Sequence, residues 1–253
     1  MKQAMEFKSG PIKLSVGARP RDPEADAATL RAVEAALDRG EVEAAVALAE
    51  AALADGQAHP TLFSLAAENL ESQDRFGEAL LLLERGHAMA PDDLDLRQAL
   101  GLCLFRLQRY RPALPHFDAL IAAEPEFSPA HAARGATLDA LGDLPAAEAA
   151  YGRALEFDPQ NLLAVAGLAS IASRSGRHPE ARALAERVLQ AQPGYPEAIL
   201  LLAKADLAQG LFAEADGRLR AMIADPRTSP EQQTFAQALL ADIPKRSGQT
   251  PDA

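Results

Sequence analysis

At 253 residues and 48% apolar, the chain can fill one large core or two ordinary ones, which excludes disorder throughout. Its one cysteine, Cys103, excludes an internal disulfide framework and a thiolate metal cluster. A net charge of −11 with no tryptophan and no basic cluster excludes the positive, aromatic-lined groove of a single-strand nucleic-acid binder.

Residues 1–23 carry Lys2, Lys8, Lys13, Arg19 and Arg21 against Glu6 and Asp22, which leaves about −14 on the remainder. No apolar h-region follows the early lysines, so a secretory signal is not expected. Ile12, Leu14 and Val16 alternate as in a short strand, but the segment lacks any helical period and is read as a flexible leader. Charges interrupt every apolar run, so no membrane span is expected, and the chain reads as soluble and cytoplasmic.

From residue 24 onward every apolar segment has the helical period of about 3.6 residues. Helix pairs are expected at about 24–39 and 41–55, 60–73 and 76–89, 94–107 and 111–123, 128–141 and 144–157, 162–175 and 178–191, and 196–209 and 212–224. Pro112 suits a first turn, whereas Pro115 lies deeper, so that helix is expected to start late or bend. After Pro226, Ser229 is a candidate N-cap, Pro230 stands at N1, and Phe235, Leu239, Leu240 and Ile243 share a face. This predicts a capping helix at 229–243 followed by a polar tail, 244–253. The competing phase is a seventh unit with Ala241 at position 8, Gly248 at position 15 and Ala253 at position 20, which Pro244 would break.

The pairs repeat. Pro91, Pro125, Pro159 and Pro193 are spaced 34 residues apart, and with each as position 32 of a unit, position 20 is Ala45, Ala79, Ala113, Ala147, Ala181 and Ala215. Position 8 is Val33, Ala67, Gly101, Gly135, Ala169 and Ala203. Small residues there let paired helices approach, while Leu83, Phe117, Tyr151 and Leu219 at position 24 fill the space beside them. Position 15 is Gly40, Gly142, Gly176 and Gly210, the left-handed residue that ends the first helix; Asp74 and Gln108 are exceptions.

"LGLCLFRLQRYRPALPHFDALIAAEP", with Leu100-Gly101, Ala113, Phe117 and Pro125, resembles the tetratricopeptide repeat (TPR) signature of L-G, A, F and P across 34 residues. The resemblance covers residues 24 to about 228. Departures are the position-4 aromatic, which survives only as Phe63, and Gln57 where a proline closes other units. It implies an all-α fold, a right-handed α-solenoid of about six TPR helix pairs with repeats at about 26–59, 60–93, 94–127, 128–161, 162–195 and 196–228, plus the capping helix.

In TPR proteins the first helix of each unit lines a concave groove through positions 2, 5, 9 and 12, and the groove takes a partner's peptide or helix. Carried over, the resemblance implies a lining of Glu34, Ser64, Glu68, Glu71, Gln98, Leu102, Phe105, Ala132, Ala136, Asp139, Ala166, Ser170, Leu200 and Lys204. Ser64/Glu68 and Gln98/Leu102 stand where carboxylate-gripping TPR domains place Lys and Asn, so binding of a terminal carboxylate is not implied. The expected floor is small and apolar at Ala132, Ala136 and Ala166, acidic in the first units and more basic at Lys204 and Arg174.

Catalytic signals are weak by comparison. His59, His87, His116, His131 and His178 form no paired metal-ligand spacing, and "PDDLD" at 91–95 reads as acidic complement to a helix dipole. "SIASRSG" at 170–176 lacks a preceding strand, and Cys103 in "GLCLF" reads as a packed apolar residue beside Arg106. No Walker loop or dinucleotide fingerprint is present, so neither metal nor cofactor is expected. The expected function is a non-enzymatic protein-binding scaffold with an Ala/Arg-rich, bacterial composition, whose end repeats offer edges for weak self-association. The alternative comes from "GRLRAMIADPRTSPEQQTFAQALLAD", which is similar to the repeat-exit segment of bacterial TPR–sulfotransferase proteins. It implies the front end of a longer enzyme, with no catalytic residue to carry over.

Overall fold

Helices begin and end where caps, prolines and glycines signal them. The computed structural model describes residues 23–247, and among these the regular elements are thirteen α-helices: α1 (Pro23–Asp38), α2 (Val42–Ala54), α3 (Pro60–Ser72), α4 (Phe76–Met89), α5 (Leu94–Arg106), α6 (Tyr110–Ala123), α7 (Ser128–Ala140), α8 (Leu144–Phe157), α9 (Leu162–Arg174), α10 (His178–Ala191), α11 (Pro196–Ala208), α12 (Phe212–Ala224) and α13 (Pro230–Ser247). The first twelve match the expected pairs within one residue at every end. The leader's alternating Ile12, Leu14 and Val16 lie outside the described residues.

Local chemistry sets these limits. Asp93, Asp143 and Asn161 accept the N–H groups of Leu96, Ala146 and Ala164 at 2.8, 3.2 and 3.0 Å, which caps α5, α8 and α9. Between paired helices, Gly40, Gly142, Gly176 and Gly210 adopt φ of 72, 84, 73 and 76°. The exceptions take the same conformation with a side chain attached, Asp74 at 60° and Gln108 at 58°. Pairing geometry therefore dictates the turn even where the residue resists it.

The expected late start of α6 is not found: the helix runs through Pro112 and Pro115 without interruption. Both prolines are exposed, as is Arg111, whose carbonyl loses the Pro115 donor. At the other end, Ser229 and Gln232 form a reciprocal cap, with Gln232 N donating to Ser229 Oγ at 3.3 Å and Ser229 N to Gln232 Oε1 at 3.1 Å. The helix then continues past Pro244 to Ser247, beyond its expected limit at 243. Its docked face is Ala236 with Leu239, Leu240 and Ile243, packed on Ala203, Leu219 and Met222. One missing N–H does not stop a helix already held in this way. Phe235, expected on that face, is instead 42% exposed. Ala241, which a seventh repeat would bury, is also exposed.

The chain divides into two compact units between Leu120 and Ile121. In unit 1 the core holds Leu62, Phe63, Leu70, Leu83, Leu96, Cys103 and Phe117. In unit 2 it holds a cluster of Val165, Ala185, Val188, Ala198 and Leu202 and the α13 cluster above. All six position-20 alanines have no exposed surface. Where position 24 is aromatic, position 8 is glycine: a Cβ on Gly101 would come within 2.9 Å of Phe117, and one on Gly135 within 2.7 Å of Tyr151. Unit 2 also buries one carboxylate, Asp206 of α11, which Arg182 of α10 and Arg218 of α12 engage, the latter at 2.9 Å. That arrangement ties three helices together around a group that burial alone would destabilise.

Candidate partner-binding faces

In unit 1, α3 and α5 are first helices of adjacent pairs, and together they line a cavity of about 440 Å³. Ser64, Glu68 and Glu71 come from α3, and Gln98 and Leu102 from α5, so five of the expected groove residues meet here. Ala67, Leu83 and Ala99 supply further apolar wall. Glu34 of α1 is exposed, but it does not line this cavity. Phe105 is also absent from it, because its ring packs against Tyr110 with centroids 5.3 Å apart.

Two charged lining residues were not foreseen. Asp95 reads in sequence as a charge for the helix dipole, yet it occupies position 2, a groove position, and its side chain reaches the cavity. Arg106, the last residue of α5, places Nε 3.7 Å from Glu71 Oε2 and its guanidinium 5.7 Å over the Phe76 ring. Beneath them Cys103 is fully buried and donates to the Phe76 carbonyl at 3.5 Å. Burial, and then the nearby Glu71 carboxylate, push its thiol up to about 12, the opposite of an activated nucleophile.

In unit 2 the corresponding face belongs to α7, α9 and α11. Ala132 has no exposed surface and so does not form part of an accessible floor, while Ala136, Ala166, Ser170 and Leu200 keep partial access. The two cations of the expected basic end have partners within the unit. Arg174 pairs with Asp139 across α9 and α7, and the Lys204 ammonium lies 4.6 Å from the Phe235 ring centroid on α13. These partnerships join residues 35 and 31 positions apart, beyond the reach of helical periodicity. A second hollow of about 700 Å³ lies among the turns of unit 2, lined by Leu189, Pro193, Ile199, Met222 and Arg227 among others. Arg227 there holds the Asp225 carboxyl down to about 2 through side-chain and backbone hydrogen bonds.

Among the described residues, no group of three or more His, Cys, Asp and Glu side chains is arranged to hold a metal ion. No helix among them is long and apolar enough to cross a membrane.

Residues 70–137 and 172–243 match the tetratricopeptide repeat family, and a second profile of the same description matches 133–196. The first of these alone takes in more than half of the chain. The chain belongs to the tetratricopeptide repeat family. A curated relative, cellulose synthase operon protein C of Pseudomonas fluorescens (strain SBW25), is 32% identical over 163 residues, 60% of this TPR chain and 13% of that protein. The chain thus spans about an eighth of that relative's length. Among solved structures it is similar to PilW, a type IV pilus biogenesis factor, with TM-score 0.69, 20% identity and coverage of 85% of this chain and 99% of the other. It is also similar to a tetratricopeptide repeat protein of Parabacteroides merdae ATCC 43184, with TM-score 0.67, 16% identity and coverage of 89% and 88%. Both likenesses establish the TPR fold.

Proposed function

We propose that the chain is a non-catalytic protein–protein interaction scaffold, in which the first-helix faces of its units engage a peptide or helix of a partner. The observation that carries this reading is the unit 1 cavity, where groove-position residues of α3 and α5 surround space open to a ligand. Their small and flexible polar side chains suit a peptide better than a rigid cofactor. In unit 2, Ala136, Ala166, Ser170 and Leu200 offer a shallower surface of the same kind. We place the scaffold in the cytoplasm, where a lone thiol such as Cys103 stays reduced. No observation favours the front end of a sulfotransferase-like enzyme.

The test is capture of partners from lysate by the wild-type chain and by Leu102→Arg and Ala136→Arg variants of equal melting temperature. Leu102 is 37% exposed and Ala136 half-buried, so an added side chain fills the face. Loss of the same partner in either variant is expected. Equal recovery by all three proteins sinks the reading and moves binding to another surface.

A further inference from the structure

The unit 1 cavity combines carboxylates of two kinds. Glu71 is already engaged, by the Arg106 guanidinium at 3.7 Å. Glu68 and Asp95, also in the lining, have no hydrogen-bond or ion-pair partner among the described residues. Arg106 does not serve them, since its guanidinium is drawn over Phe76. Beside the free carboxylates the lining offers apolar surface at Ala99 and the half-open Leu102. Around this cavity, residues 24–120 hold 17 acidic against 8 basic side chains, a net of −9.

Three kinds of partner group are distinguishable on these facts. An acidic group meets net repulsion, since Glu68, Glu71 and Asp95 outnumber the one lining cation, Arg106. A purely apolar group would strip water from both carboxylates and return nothing to them. A long cationic side chain satisfies both parts of the wall, because its methylene stem covers apolar surface while its head stays against the charges. The concave, low-dielectric wall and the net charge of the unit add attraction at longer range.

We propose that this cavity takes a lysine or arginine side chain of a partner peptide, its stem on Leu102 and Ala99 and its charge met by Glu68 and Asp95. The proposal rests on the interaction reading above and gives it a chemistry: the preferred partner segment is basic and amphipathic.

A library of random 12-residue peptides displayed on phage, panned against the whole chain, tests it. Enriched peptides are expected to carry Lys or Arg next to Leu or Met. Synthetic copies should lose about tenfold or more in affinity, about 1.4 kcal/mol, when citrulline replaces the arginine or norleucine the lysine. Glu68→Gln with Asp95→Asn in the protein should cause a similar loss, and the two changes together should cost little more than either alone. Melting curves establish that the variant folds; should the double variant melt early, Glu68→Gln alone carries the comparison. Peptides lost with Leu102→Arg that lack a cation, or that bind equally well without the two carboxylates, overturn the proposal and leave the interaction reading standing. Absence of any enriched peptide, or enrichment insensitive to both Leu102→Arg and Ala136→Arg, overturns both.

Discussion

A methyl group placed on Gly167 would stand 2.2 Å from Tyr151 Cζ, closer than any real contact. Tyr151 from α8 therefore crosses two glycines, Gly135 of α7 and Gly167 of α9, and its ring fills the space that three helices leave between them. A glycine within a helix costs about 1 kcal/mol relative to alanine, so α9 gives up propensity to accept the ring.

Gly167→Ala should accordingly destabilise the chain, by on the order of 1–3 kcal/mol in urea unfolding, despite the gain in helix propensity. Adding Tyr151→Leu should recover part of that loss, with a coupling between the two changes on the order of 0.5–3 kcal/mol. Additive single and double variants would show that the ring and the glycine do not share this space.

At position 20, Ala147 has no exposed surface and faces the paired helix. Leucine there should overpack the α7–α8 contact and cost about 1–3 kcal/mol. An unchanged melting curve would contradict the repeat phase assigned to all six alanines.

Gln108 holds a left-handed φ of 58° that a glycine takes without steric penalty. Gln108→Gly should raise the melting temperature, by an amount corresponding to at most about 1 kcal/mol. Gly142→Ala should do the reverse: nothing lies within 4 Å of an added Cβ, so any loss reports the φ of 84° alone.

His87 and His116 meet edge to face in unit 1 with ring centroids 5.4 Å apart. Burial lowers both below the ordinary histidine value, aided at His87 by the Arg97 charge and at His116 by His87 and then Arg97. A depressed folded pKa means that the unfolded chain takes up protons first as the pH falls. The contribution of the pair is thus fully present above about pH 6.5, the unfolded value, and is lost as the pH falls through the folded values. Urea midpoints should drop between pH 7.5 and 5.5, and His87→Gln with His116→Gln should flatten that segment of the profile. A wild-type midpoint constant over the range would refute the coupling.

Repetition made the sequence unusually informative. Small residues at fixed phase, a glycine turn in mid-unit and a closing proline are local constraints, each readable within a few residues, and together they determined twelve helices, their pairing and the family. Ser64, Glu68, Gln98 and Leu102 were legible as one surface because a repeat carries a side chain's direction with its position number. What the tertiary structure alone decided are the relations between units of the repeat. Arg174 turns to Asp139 and Lys204 to Phe235, so charges that read as a basic end are already engaged, and Arg106, unforeseen in the lining, lies over Phe76. Ala132 is buried and Phe105 is drawn to Tyr110, whereas Asp95 enters the cavity. The physical reason is reach: a backbone turn is fixed by neighbours in sequence, but a long side chain chooses among partners about one repeat away, and only packed helices bring those partners within a few ångströms.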